Sequence, residues 1–357
     1  MSRIGVLGAG TIGMSMAKML KVAGHEVTVW SAIPEEIEEC VKTKRHHNLP
    51  GMVIPEGIIF TTDISEVCHD KDVIMAAIPS VFIRSTMKTA RDYIKDGQLI
   101  ADVGKGIEIG THYTMSQIIE DELKKDNKHD NIRVVALSGP THAEEIALDM
   151  PTTIVSACED LNAAREVQKI FMNSCMRVYT NADIIGVEIC GALKNVIALA
   201  CGIATGIGCG DNAKAALITR GIAEITRMGL RMGCMEQTFS GLAGIGDLIV
   251  TATSMHSRNN RCGMLIGEGK SVDEAVKEVG QVVEGLNALP AAVELAKQYD
   301  VDMPIVMTLD KVVKGELDPV TAVEMLMSRP AKDEVSKEAH DKFFEDKKKM
   351  NKNVKTR

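Results

Sequence analysis

Along the first half of the chain, short apolar runs alternate with stretches whose apolar residues recur every three or four positions. The runs Ile4–Leu7, Glu26–Trp30, Ile58–Thr61, Val73–Ala77, Leu99–Val103 and Arg133–Leu137 read as strands, and helices fill the intervals. Pro34 suits the first turn of one helix and Asp63 the cap of another. Short apolar strands separated by helices imply a parallel sheet covered on both faces. Pro50, Gly51, Pro55 and Gly57 mark a loop, and the polar run Lys124–Asn131 a surface loop. Two further strands, Thr152–Ser156 and Met176–Thr180, flank a helix near Leu161–Phe171.

From Asp183 the pattern becomes helical throughout. Asp183 can cap a long helix running through Lys194 to about Ala204. Further helices are expected over Ala213–Met232, Asn259–Gly269, Val272–Val279, Gly285–Gln298 and Met303–Val313, with a capping box at Ser271 and Glu274. The expected architecture is therefore α/β: a doubly wound sheet domain over residues 1–181, then an all-helical domain over 182–335. Residues 336–357 are polar and basic and read as a solvated tail.

The first strand runs directly into Gly8-Ala-Gly10-Thr11-Ile12-Gly13 and a helix over Ile12–Ala23. In a Rossmann-type unit each glycine has a task. Gly8 permits the tight turn, Gly10 lets a pyrophosphate approach the backbone, and Gly13 lets the helix pack on the strand. The helix start offers unpaired N–H groups and partial positive charge. A strand on each side of the motif makes it a dinucleotide signal rather than a plain turn.

Composition narrows the field. Net charge is −8, against a general nucleic-acid binder. No apolar run approaches the roughly 18 residues of a membrane span, so no stable membrane anchor is expected. The N-terminus lacks a signal-peptide pattern. The nine cysteines contain no CxxC pair, which reads as free thiols in a reducing cytoplasm. No His/Cys cluster has ligand spacing, so no metal is expected.

Ligands of such sheets lie beyond the carboxyl ends of the strands. Three loops end there: Ala77-Ile-Pro-Ser80, Asp102-Val-Gly-Lys-Gly-Ile-Glu108 and Ser138-Gly-Pro-Thr-His-Ala-Glu144. Lys105, between two glycines, is a substrate-binding candidate; His142, opening a helix beside two glutamates, reads as structural. In the second half, Gly191-Ala-Leu-Lys-Asn195 sets a lysine in an apolar helix, where partial burial would lower its pKa toward the range useful for proton transfer. Gly241–Leu248 is a glycine-rich run containing Asp247. Ser257-Arg-Asn259 places a hydroxyl, a guanidinium and an amide at a helix start, a combination suited to phosphate.

These segments resemble those of bacterial NAD(P)-dependent glycerol-3-phosphate dehydrogenases. Also matching are Asn212-Ala-Lys-Ala-Ala-Leu-Ile-Thr-Arg-Gly221 and Gly280-Gln-Val-Val-Glu-Gly285, and the motifs run in order from about Ile4 to Asp333. The resemblance implies reduction of dihydroxyacetone phosphate to sn-glycerol 3-phosphate for phospholipid synthesis, by a cytoplasmic homodimer using NAD or NADP. It implies that Lys194 donates and accepts the proton. Lys105 and Asp247 would hold the substrate, with Asn195 and Thr251 beside them. Gly139 and Thr141 would line the pocket, and Ser257, Arg258 and Asn259 would grip the phosphate. Cofactor contacts would come from Gly8, Gly10, Thr11, Ile12, Gly13, Lys105, Ala143, Arg258 and Glu284.

One departure leaves cofactor preference open. After the second strand the family often has a basic residue for the 2′-phosphate of NADP. Here the chain reads Trp30-Ser-Ala-Ile-Pro34, and the acid that would grip the ribose of NAD is missing there too. Two alternatives remain at this stage: a related dehydrogenase acting on another hydroxy acid or sugar acid, and a non-catalytic dinucleotide sensor.

Overall fold

The computed structural model describes residues 1–335 and 337–355, and only the backbone of Glu338 and of residues 349–355. Eight strands form one sheet: β1 (Arg3–Leu7), β2 (Glu26–Trp30), β3 (Ile58–Thr61), β4 (Val73–Ala76), β5 (Leu99–Asp102), β6 (Arg133–Ser138), β7 (Thr152–Ala157) and β8 (Met176–Asn181). Their order is β3-β2-β1-β4-β5-β6-β7-β8. The first six are parallel, with Leu7 beside Trp30 on one side and Ala76 on the other. Residues of β1 and β4 are almost wholly buried because helices cover both faces of the sheet. β7 runs antiparallel to β6, and β8 parallel to β7. The apolar runs foretold all eight strands but not the reversal at β7, since hydrophobic periodicity carries no strand direction.

The order turns between β1 and β4, which opens a crevice at their carboxyl ends. Gly8, at φ +113°, makes the turn out of β1, and α1 (Thr11–Val22) follows with Gly10 at its cap. A Cβ on Gly13 would sit 2.1 Å from Gly8 O, so only glycine lets α1 rest on the turn. α2 (Pro34–Thr43) begins at Pro34, and Asp63 caps the Ile64–Cys68 helix by accepting from Ser65 N at 2.8 Å.

Beyond β8 the chain is helical. The Ile184–Gly206 helix is capped by Asp183 and forms the axis of the second core, enclosed by the helices Asp211–Arg231, Asp247–Thr253, Arg258–Gly267 and Glu284–Gln298. It is long and apolar enough in composition to cross a membrane, yet 94% of its most apolar stretch is buried inside protein. This corrects the expectation that no apolar stretch approaches that length: Glu188 and Lys194 interrupt the stretch and break it up in the sequence. A Cβ on Gly202 would meet Asn260 O at 2.1 Å, and one on Gly263 would meet Leu199 O at 2.2 Å. This seam brings the Arg258–Gly267 helix against the axis and sets its N-terminus beside Lys194.

The helices Glu236–Phe239 and Asp247–Thr253 were not foreseen in the sequence, nor were two features nearer the C-terminus. A helix at Pro319–Met327 is capped by Asp318, and residues Lys337–Lys355 of the polar tail are helical. The tail is rich in Lys, a good helix former even where no face is buried. Its described side chains are exposed, while Ser336, Thr356 and Arg357 lie outside the described residues.

Candidate active site

The crevice faces the helical domain, and the cleft between them gathers nearly every residue singled out above. Its sheet-side wall holds Gly10, Thr11, Ile12, Ala77–Pro79, Gly104, Lys105, Thr141 and Ala143. Its helical wall holds Lys194, Asn195, Asp247, Thr251, Ser257–Asn259 and Glu284. Gly8 and Gly13 shape the turn behind this lining. Gly139 lies just outside it, with its carbonyl accepting from Lys105 Nζ at 3.1 Å.

Three charged groups form the centre. Lys194 projects from the axial helix and is 5% exposed. Its Nζ donates to Asp247 Oδ1 at 2.7 Å and to Thr251 Oγ1 at 2.5 Å. Lys105 Nζ donates to the other oxygen, Asp247 Oδ2, at 2.6 Å, with Thr141 Oγ1 at 3.4 Å. The glycine-rich run explains how the carboxylate arrives. Leu242–Gly246 makes a wide turn, kinked at Gly244, and delivers Asp247 to a helix start. A Cβ on Gly244 would collide with Phe239 O at 2.1 Å.

Burial dominates the Lys194 ammonium and lowers its pKa to about 7, assisted by the charge of Lys105 and opposed by Asp247. Burial alone would raise the Asp247 carboxyl, but Lys105 and Lys194 overcome it and hold the group below its ordinary value. The loop carrying Lys105 is tied from behind. Gly104 N donates to Asp102 Oδ1 at 3.1 Å, and burial, then Glu188, push the Asp102 carboxyl pKa well above the usual carboxylate range.

The far end of the cleft is built differently. Ser257 caps the Arg258–Gly267 helix, accepting from Asn260 N at 3.2 Å. Arg258 follows at the first helical position. Burial lowers its pKa and the charges of Glu284 and Glu144 oppose the change. No hydrogen bond or salt bridge among the described residues engages its guanidinium. Asn259 is committed within the protein: Nδ2 donates to Asn195 Oδ1 at 2.9 Å and Oδ1 accepts from Gly285 N at 2.8 Å. It therefore locks three helices together and leaves Arg258 and the helix N-terminus facing the cleft.

A dinucleotide fits the sheet-side edge. A Cβ added to Gly10 would meet nothing within 4 Å, so the cap of α1 opens onto free space. The cap makes no side-chain hydrogen bond, which leaves the first N–H groups of α1 for phosphate oxygens. Opposite, Glu284 accepts from Ser80 N at 3.0 Å and Ser80 Oγ at 2.5 Å, joining the helical domain to the loop after β4. Among the described residues, no group of three or more His, Cys, Asp or Glu is placed to hold a metal.

Sequence reasoning passed over Ser80, although its loop was flagged, because its partner lies 204 residues away. It also missed Glu36, whose Oε2 accepts from Ser31 Oγ at 2.6 Å. An acid is therefore present beside the end of β2, supplied by α2 rather than by the strand. His142 lies on the cleft wall with Nε2 3.3 Å from Val250 O, and burial lowers its pKa.

Fold and site together define a two-domain nicotinamide-dependent dehydrogenase whose cleft holds two lysines on one buried carboxylate and an arginine at a helix start. Comparison with known proteins narrows this. Residues 3–164 match the NAD-dependent glycerol-3-phosphate dehydrogenase N-terminus and residues 183–324 the C-terminus of the same family. The chain is 62% identical to the NAD(P)+ glycerol-3-phosphate dehydrogenase 2 of Lactobacillus delbrueckii subsp. bulgaricus, over 94% of this chain and 100% of that protein. It is 47% identical to the NAD(P)+ glycerol-3-phosphate dehydrogenase of Agathobacter rectalis, over 94% and 98%. The crystal structure of glycerol-3-phosphate dehydrogenase from Coxiella burnetii superposes with a TM-score of 0.86 at 32% identity, covering 92% of this chain and 99% of that one. The chain belongs to the NAD-dependent glycerol-3-phosphate dehydrogenase family.

Proposed function

We propose that Lys194 moves the proton as this chain interconverts dihydroxyacetone phosphate and sn-glycerol 3-phosphate with NAD(P)H, the reaction that supplies glycerol 3-phosphate for phospholipids. The observation that carries this reading is a buried lysine with a pKa near 7, held 2.7 Å from Asp247, in the same cleft as an unpaired arginine at a helix start. Gly10, Thr11, Ile12, Ala143 and Glu284 would hold the dinucleotide, which supplies the hydride when bound. Lys194, protonated, gives its proton to the oxygen of the carbonyl being reduced; neutral, it takes the proton back in the reverse direction. Lys105 adds a second positive charge against the charge developing on that oxygen. Asp247 stays ionised and orients both lysines without carrying the proton. Thr251 fixes the ammonium from a further side.

Arg258, with the adjoining helix N-terminus, binds the phosphate, which does not react. Its binding energy places the carbonyl against Lys194. Ser257 and Asn259 support this end by capping and locking the helix. The chain divides at Asn181 into a dinucleotide domain (1–181) and a helical substrate domain (182–335), followed by the basic tail. It works in the cytoplasm as a homodimer, and exposed Val320, Met325 and Met327 on the Pro319–Met327 helix offer apolar surface for a second copy. Light scattering after size-exclusion chromatography checks the dimer. The activity is checked by loss of reduced-cofactor absorbance on adding dihydroxyacetone phosphate, with either NADH or NADPH. No turnover with either cofactor would overturn the reading.

A further inference from the structure

In a doubly wound sheet, the adenosine ribose of a dinucleotide reaches the end of β2. That end is close to the phosphate-binding turn here, since Gly8 N donates to Trp30 O at 2.9 Å. The strand itself supplies no acid. α2 does: Pro34 starts the helix, and its first turn carries Glu35 and Glu36. The Glu36 side chain turns back onto the strand end. Ser31 Oγ donates to Glu36 Oε2 at 2.6 Å and accepts from Ile33 N at 3.1 Å. Ser31 is 4% exposed, and its N–H donates to Thr61 O of β3 at 3.3 Å. The carboxylate is thus anchored to a rigid corner of the sheet.

Glu39, one turn further along α2, faces His47 Nδ1 at 2.8 Å. Among the described residues no lysine or arginine forms a salt bridge with Glu36; Ser31 Oγ donates to Oε2, and no described residue donates to Oε1. A neutral hydroxyl arriving at this corner would meet an acceptor. A phosphate carrying nearly two negative charges would meet a like charge.

Resting on the reading of the cleft as a dinucleotide site, we propose that Glu36 reads the 2′ position of the adenosine ribose, accepting from the 2′-hydroxyl of NAD and disfavouring the 2′-phosphate of NADP. The preference follows from a helix side chain standing where the strand has none. One charge-assisted contact corresponds to about ten- to hundredfold in affinity, which sets the expected size of the discrimination.

The test is binding rather than turnover, so that it does not depend on which substrate is reduced. The full-length protein is titrated with NADH and with NADPH alone, following nicotinamide fluorescence. NADH is expected to bind about ten- to hundredfold more tightly. Glu36→Gln keeps an acceptor for Ser31 and removes the charge; it is expected to bring the two affinities within about threefold, chiefly by tightening NADPH. Glu36 is partly exposed, so the variant retains the fold, which circular dichroism checks. Equal affinities in the unaltered protein, or an unchanged ratio in Glu36→Gln, would overturn the proposal. Failure of both cofactors to bind would overturn the dinucleotide reading beneath it, a distinguishable result.

Discussion

The two ends of the cleft treat positive charge in opposite ways. At the end proposed to react, Lys194 and Lys105 share one carboxylate, Asp247, at 2.7 and 2.6 Å. At the end proposed to bind phosphate, Arg258 stands at a helix N-terminus with no hydrogen bond or salt bridge among the described residues. Proton transfer needs a group that can change charge near neutrality. Burial supplies the downward pull on Lys194, and a shared counter-charge limits it. Anchoring needs a permanent cation whose counter-ion is the substrate itself. A carboxylate bonded to Arg258 would compete with the phosphate; among the described residues none hydrogen-bonds to it, and Glu284 and Glu144 act on it only through their charge.

Removing the reacting group should give the largest effect. Lys194→Met is expected to lower kcat by about 10²–10⁴, or roughly 3–5 kcal/mol of barrier, while NADH binding survives on the sheet domain. Near-normal kcat would reduce the lysine to a structural residue. At the other end, Arg258→Ala should lower kcat/KM for dihydroxyacetone phosphate by about 2–5 kcal/mol, the range for truncating one side of a desolvated charge pair.

The pH profile sharpens the contrast. With Lys194 as the proposed proton donor, kcat/KM for reduction should fall as pH rises through about 7, and that for oxidation should rise. Asp247 holds the lysine pKa up, so Asp247→Asn should move both profiles to lower pH by about one unit or more. A profile unmoved in Asp247→Asn would mean that the titration belongs to another group. The smallest change expected is in cofactor choice. The unaltered enzyme should use both cofactors with less than about a hundredfold preference. Ala32→Arg should shift the NADH to NADPH ratio of kcat/KM about tenfold toward NADPH. An unchanged ratio would show that Ala32 does not face the 2′ position.

What could be read in advance follows from the range of each interaction. The Gly8–Gly13 turn, the strands and the caps at Asp63, Asp183 and Ser271 are local, and the sequence displays them directly. Lys194 was conspicuous because a lysine in an apolar helix is rarely free. The sharing of Asp247 was invisible: it joins residues 53 and 142 positions apart, and only the kinked turn at Gly244 brings them together. Asn259 looked like a phosphate ligand from its neighbours, whereas its amide is committed to Asn195 and Gly285. Glu36 was overlooked because the ribose acid was sought on the strand, and the first turn of the next helix supplies it. The direction of β7 and the helical tail escaped for another reason: apolar period shows neither strand direction nor a helix without a buried face.

The most direct test of the division between the two ends compares two substrates in one variant. Arg258→Ala is assayed with dihydroxyacetone phosphate and with unphosphorylated dihydroxyacetone, at saturating NADH and again at saturating NADPH. The expected result is a loss of about 2–5 kcal/mol in kcat/KM for the phosphorylated substrate and a much smaller loss for the other. Equal losses for both would contradict the assignment of Arg258 to the phosphate and reopen the identity of the molecule this cleft reduces.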